Sequence, residues 1–108
     1  AIRWIGTAFA VSARGAPCYR CLFEDIPDGS QAGCDLSGVV GPVCGVVGAV
    51  QAHFALRLID GAPVHGTFAS FDGQRDVLRL RDIAPRARCP LCGPERDIDR
   101  IDPARYGV

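Results

Sequence analysis

The 108-residue chain carries 12 basic and 12 acidic side chains, so its formal net charge is zero. That balance gives no electrostatic basis for binding nucleic acid or an anionic membrane surface. All twelve basic residues are arginine, which excludes a lysine Schiff base or a P-loop lysine from this stretch. Apolar residues make up 48% of the chain, too many for a disordered segment, and the length suits one domain or one portion of a larger one.

Taken in chain order, residues 2–5 and 7–11 read as one or two short strands interrupted at Gly6. A turn over residues 13–17 leads into Cys18-Tyr19-Arg20-Cys21. Residues 24–33 include Pro27, Asp28, Gly29, Ser30 and Gly33, a composition that predicts an exposed polar loop. From residue 39 to residue 58 the pattern is helical. Val40, Val43, Val47, Val50, Phe54 and Leu58 recur at three- and four-residue steps and define one apolar face.

Gly41, Gly45, Gly48, Ala52 and Ala55 form a second stripe of small residues. The expectation is a long buried helix packed on two sides, with Ser37 as its N-cap and Pro42 in the first turn. The apolar run over residues 38–50 is shorter than the roughly 20 residues a membrane span needs, so no membrane association is expected. Residues 67–72 and 76–83 predict an antiparallel hairpin with a turn at Asp72-Gly73-Gln74-Arg75. The charged segment 94–108 reads as a C-terminal extension, either a linker or a strap over a neighbouring surface. The domain expectation is therefore one unit over residues 1–93 followed by this extension.

Four of the six cysteines fall in two CxxC pairs, Cys18/Cys21 and Cys89/Cys92. Each pair can present two thiolates from one tight bend, and the two pairs together complete a tetrahedral four-cysteine site for one structural zinc ion. The 67 residues between Cys21 and Cys89 make such an ion a tie between chain ends. A pair of disulfides, a redox-active CxxC and an iron–sulfur cluster are the competing readings. No apolar leader with a basic start opens the chain, and the thiol usage suits a reducing compartment. A cytoplasmic location is expected.

The remaining cysteines are less informative. Cys34 lies at the end of the polar loop, where it is either an incidental surface thiol or a reactive one favoured by the following helix N-terminus. Cys44 falls inside the helix and is expected to be a small buried hydrophobe. His53 and His65 have no catalytic partner nearby in sequence and are expected to be packed or solvent-facing.

The string Pro17-Cys18-Tyr19-Arg20-Cys21-Leu22-Phe23 resembles the first zinc turn of the ThiF/MoeB family, bacterial relatives of the ubiquitin-activating enzyme. The likeness extends to residues 1–4, to Gly33-Cys34, and to the helix from Gly38-Val39-Val40-Gly41-Pro42 through Gly48-Ala49-Val50-Gln51-Ala52. It continues through Phe71-Asp72, Cys89-Pro90-Leu91-Cys92-Gly93 and residues 98–106.

The resemblance implies an α/β fold class, namely the C-terminal part of a ThiF/MoeB-like Rossmann-type fold with a four-cysteine zinc knuckle. It also implies an enzyme, homodimeric when whole, that uses ATP and Mg2+ to adenylate the C-terminal glycine of a ubiquitin-like sulfur-carrier protein. The resulting thiocarboxylate would feed molybdopterin or thiamine synthesis. Cys34 matches the family's loop cysteine, which in part of the family forms a covalent link to the carrier. The family's glycine-rich nucleotide loop and its lysine have no counterpart in these 108 residues, so the ATP site is expected in a preceding portion. The alternative is a non-catalytic, zinc-stabilised module that binds a ubiquitin-like partner through its sheet.

Overall fold

A computed structural model describes residues 1–11, 13–23 and 37–106. Three strands form one antiparallel sheet in the order β1 (Ile5–Phe9), β2 (Thr67–Asp72), β3 (Val77–Asp82). A short helix α1 (Tyr19–Leu22) follows β1, the long helix α2 (Gly41–Ile59) precedes β2, and a 3-10 turn spans Pro103–Tyr106. The architecture is mixed α/β, with α2 lying across β1 and β2 on one face of the sheet.

The hairpin forms where the pattern predicts it. Phe68 pairs with Arg81 and Phe71 with Leu78, in an unbroken antiparallel register. Asp72 holds the turn: its carboxylate accepts the Gln74 and Arg75 amides at 3.0 and 3.3 Å, and the Arg75 guanidinium at 3.1 Å. Short polar side chains stabilise turns in this way, by bonding to backbone a few residues on.

The first strand differs from the expectation. It runs through Gly6 without interruption, and the break lies earlier, where Ile2 and Ile5 exchange backbone hydrogen bonds and Arg3 adopts a φ of 51°. Gly6 marks a close approach, not a strand end: a Cβ there would lie 2.3 Å from Val47 Cγ2 and 3.2 Å from Val43 Cγ1. Ala8 and Ala69 continue this small-residue surface, and Val47 and Phe54 fill the space above it, with Val50, Leu58, Val64 and Phe71 packed around them.

The helix is also placed differently in three respects. It begins at Gly41 with Val40 as the N-cap and no side-chain cap. Ser37 does not cap it, because Gly38 and Val40 are tied by backbone hydrogen bonds to Arg3 and Val39 bridges that residue. That tertiary pairing holds residues 38–40 outside the helix. Second, α2 is not a buried helix. Val43, Val47 and Phe54 are buried, whereas Gly45, Gly48, Ala52 and Ala55 are exposed, and Ile59 is 83% exposed. Among the described residues nothing covers that outer side, so the helix packs on one side, not two.

Third, Cys44 is exposed. One residue on from Val43, it sits about 100° further round the helix, away from the sheet. With 19 residues and a mean hydropathy of 1.4, α2 is long and apolar enough to cross a membrane by length and composition alone. The sheet covers only its Val43, Val47 and Phe54 side, and 17% of the apolar stretch is buried here.

Filling the Gly6 site should separate sheet and helix. Gly6→Ala is expected to destabilise the fold by about 1–3 kcal/mol, the usual cost of overpacking, seen as a lower denaturant midpoint. A Gly6→Ala protein with an unchanged midpoint would show that β1 and α2 are not in close contact.

Candidate metal centre

The two CxxC pairs reach the same point by different local routes. Cys18 is extended, with φ −114° and ψ 177°, and acts as the N-cap of α1. The single helical turn that follows brings the Cys21 amide to the Cys18 carbonyl at 3.0 Å, which sets the two side chains on one side of the turn. Cys89 and Cys92 lie in a tight bend closed by the Gly93 amide on the Cys89 carbonyl at 3.0 Å. Only glycine fits that closing position, since a Cβ there would lie 2.5 Å from the Cys89 carbonyl oxygen. Beyond the bend the chain folds back, with the Asp97 and Ile98 amides both donating to the Pro90 carbonyl at 3.0 Å and Ile98 buried.

Cys18, Cys21 and Cys89 form a second buried cluster, separate from the sheet–helix core, with the half-buried Cys92 packed against it. The four Sγ atoms lie within 4.8 Å of one another. Cys18 is 4.0 Å from Cys21 and 3.5 Å from Cys89, and Cys21 is 3.3 Å from Cys92. A tetrahedral ion with metal–sulfur bonds of about 2.3 Å requires sulfurs about 3.8 Å apart. These separations bracket that value, so the four residues can hold a metal ion. They are far from the S–S bond length of about 2.05 Å, and all four thiols are free. The 4.0 Å spacing within Cys18/Cys21 exceeds both of these cross-pair separations, opposite to what a dithiol closing on itself would favour.

The electrostatics point the same way. Burial pushes the Cys18 thiol up, although the Cys21 amide partly offsets it. At Cys89 burial also acts upward, but the Cys92 and Leu91 amides and the Cys18 thiol outweigh it, lowering the pKa to about 6. Cys92 is pushed up to about 12, by burial first and then by its interactions with Cys21, Cys18 and Cys89. One thiolate forms readily here and suppresses the next, so four thiolates need a cation among them.

Sequence reasoning assigned Cys34 a possible chemical role, but it lies outside the described residues, as does the loop over residues 24–33. His53 and His65 are exposed. One contributor was missed. Arg86 donates its backbone amide to Cys21 Sγ at 3.4 Å and its guanidinium Nη2 to the Arg20 carbonyl at 2.9 Å. The only sequence signal was an arginine three residues before the second CxxC pair.

Fold and site together define a small α/β unit whose distant chain segments meet at a thiol cluster. A family model described as the ThiF family matches residues 1–92, and the chain belongs to that family. It is similar to the sulfur carrier protein ThiS adenylyltransferase of Escherichia coli (strain K12), 39% identical over 77 residues, covering 70% of this chain and 30% of the relative. It is similar to the SAMP-activating enzyme E1 of Haloferax volcanii, 33% identical over 93 residues, covering 83% and 34%. A third relative is the adenylyltransferase and sulfurtransferase MOCS3 of Caenorhabditis briggsae, 36% identical over 106 residues, covering 91% and 26%. The chain thus spans 26–34% of the length of these relatives.

Metal uptake must displace protons from Cys18 and Cys92, both raised, while Cys89 is already largely ionised at pH 7. Each displaced proton costs tenfold in apparent affinity per pH unit, and Cys18 and Cys92 supply two of them, so lowering the pH from 7 to 6 is expected to weaken binding by at least about 100-fold. Chelator competition across this range measures it, and a pH-independent affinity would contradict the assignment of these thiols as ligands.

Proposed function

We propose that the chain is the C-terminal portion of a ThiF/MoeB-type adenylyltransferase of Rossmann-type fold, holding one structural zinc ion on Cys18, Cys21, Cys89 and Cys92. The observation that carries this reading is the all-thiol cluster within 4.8 Å, in a chain of the ThiF family. Four thiolates form a soft donor set that suits zinc. They also leave no open position on a tetrahedral ion, so the zinc ties the two turns together and does not polarise a substrate.

In this reading the whole enzyme activates the C-terminal glycine of a ubiquitin-like sulfur carrier. A carboxylate is a poor electrophile. Its attack on the α-phosphate of ATP, with Mg2+ bound, releases pyrophosphate and makes AMP the leaving group. Attack of a sulfide-level nucleophile (hydrosulfide) on the acyl carbon, with AMP leaving, then yields the thiocarboxylate used in molybdopterin or thiamine synthesis. Relatives named as sulfur-carrier adenylyltransferases support the carrier as partner. The nucleotide site is assigned to the portion of the enzyme outside these residues, and Cys34 to the loop that meets the carrier. The whole enzyme is a cytoplasmic homodimer. The exposed small-residue side of α2 supports close packing of a neighbouring element, which would enclose α2 as a core helix of the whole enzyme and not as a membrane span.

Pyrophosphate exchange tests this directly. The full-length protein, given ATP, Mg2+ and its carrier, is expected to incorporate labelled pyrophosphate into ATP, and residues 1–108 alone are not. Carrier binding with no exchange by the full-length protein would favour the non-catalytic module instead.

A further inference from the structure

We propose that Arg86 is a positioning residue that clamps the two CxxC turns together and sets how firmly the site retains its metal. This rests on the reading that the four cysteines hold an ion.

Arg86 touches both turns through three separate groups. Its amide donates to Cys21 Sγ at 3.4 Å, its guanidinium Nη2 donates to the Arg20 carbonyl at 2.9 Å, and its own carbonyl accepts the Cys89 amide at 3.1 Å. Cys21 belongs to the first pair and Cys89 to the second, 65 and three positions away respectively. One residue therefore bonds to the first turn through side chain and main chain, and to the second through its main chain.

The chemistry matches the need of the site. A divalent ion on four thiolates carries a net charge of −2. An N–H directed at a ligating sulfur withdraws part of that charge, and a cation fixed nearby offsets more of it. The Nη2 bond also fixes the first turn at Arg20, one residue before Cys21. Arg86 is half-buried, so this bond competes less with water than one on the surface would. Arg88, two residues on, carries the same charge but is exposed, which makes it an internal control.

The full-length protein is loaded with zinc, and the rate of metal loss to a chromogenic chelator is compared for wild type, Arg86→Ala, Arg86→Lys and Arg88→Ala. Loss of an outer-shell partner typically weakens metal retention roughly 10- to 100-fold. Arg86→Ala is expected to lose zinc about 10- to 100-fold faster, Arg86→Lys to recover most of the difference, and Arg88→Ala to match wild type. The cobalt(II)-loaded forms should keep the intense d–d bands of a tetrahedral tetrathiolate, showing that the fold and ligand set persist. If Arg86→Ala does not fold, Arg86→Lys decides: near-wild-type retention supports the clamp, and a loss of about tenfold or more overturns it. Wild-type retention by Arg86→Ala, or an equal loss in Arg88→Ala, also overturns it. A wild-type protein that binds no metal would instead refute the metal site itself.

Discussion

Closure of the chain at four sulfurs is the constraint on which the rest of this structure depends. Cys18 and Cys89, and Cys21 and Cys92, stand 71 positions apart, and bringing such distant segments together carries an entropic cost that grows slowly with loop length. Among the described residues the cysteine cluster has no aliphatic core of its own: it consists of Cys18, Cys21 and Cys89, with Cys92 packed against them. Hydrophobic burial there is small, and the pKa values of Cys18 and Cys92 are driven up by burial and by neighbouring thiols. A cation held by the four sulfurs would resolve both problems, by neutralising the thiolates and supplying binding energy that becomes folding energy.

The sheet and α2 then occupy the span between the two turns. Their contact is close because the strand side is made of Gly6, Ala8 and Ala69 while the bulk comes from the helix, in Val43, Val47 and Phe54. The same helix carries an apolar outer side that its own sheet does not use. A helix that is apolar all round is ordinarily enclosed, and this chain covers only about a third or less of the length of its relatives. The outer side of α2 and the exposed Leu78 and Leu80 of β3 are therefore consistent with a unit that works inside a larger assembly.

The convergence of Cys18, Cys21, Cys89 and Cys92 was the most legible feature in the sequence, because a CxxC spacing encodes a single bend and two such bends can meet at one point. The hairpin was legible for a similar reason: Asp72 and Gly73 declare the turn, and the alternation of Val77 to Arg81 declares a strand. What escaped was whatever depends on the partner of a residue. Gly6 looks like a strand break until Val47 is known to lie against it. The periodicity of α2 revealed two apolar sides but not which one faces the sheet, so Cys44 was expected inside and lies outside. Ser37 had the chemistry of a cap, but Arg3 pairs with the segment just after it. Arg86 carried too little local signal to be singled out, since its role comes from bonds to turns on both sides of the cluster.

The central claim is that one metal ion joins the two CxxC turns through four sulfurs. X-ray absorption at the zinc edge, with metal stoichiometry on the purified protein, tests it most directly. One zinc per chain and a first shell of four sulfurs at about 2.3 Å are the predicted result. A shell containing nitrogen or oxygen, or a protein without metal and with its CxxC pairs oxidised, would contradict it.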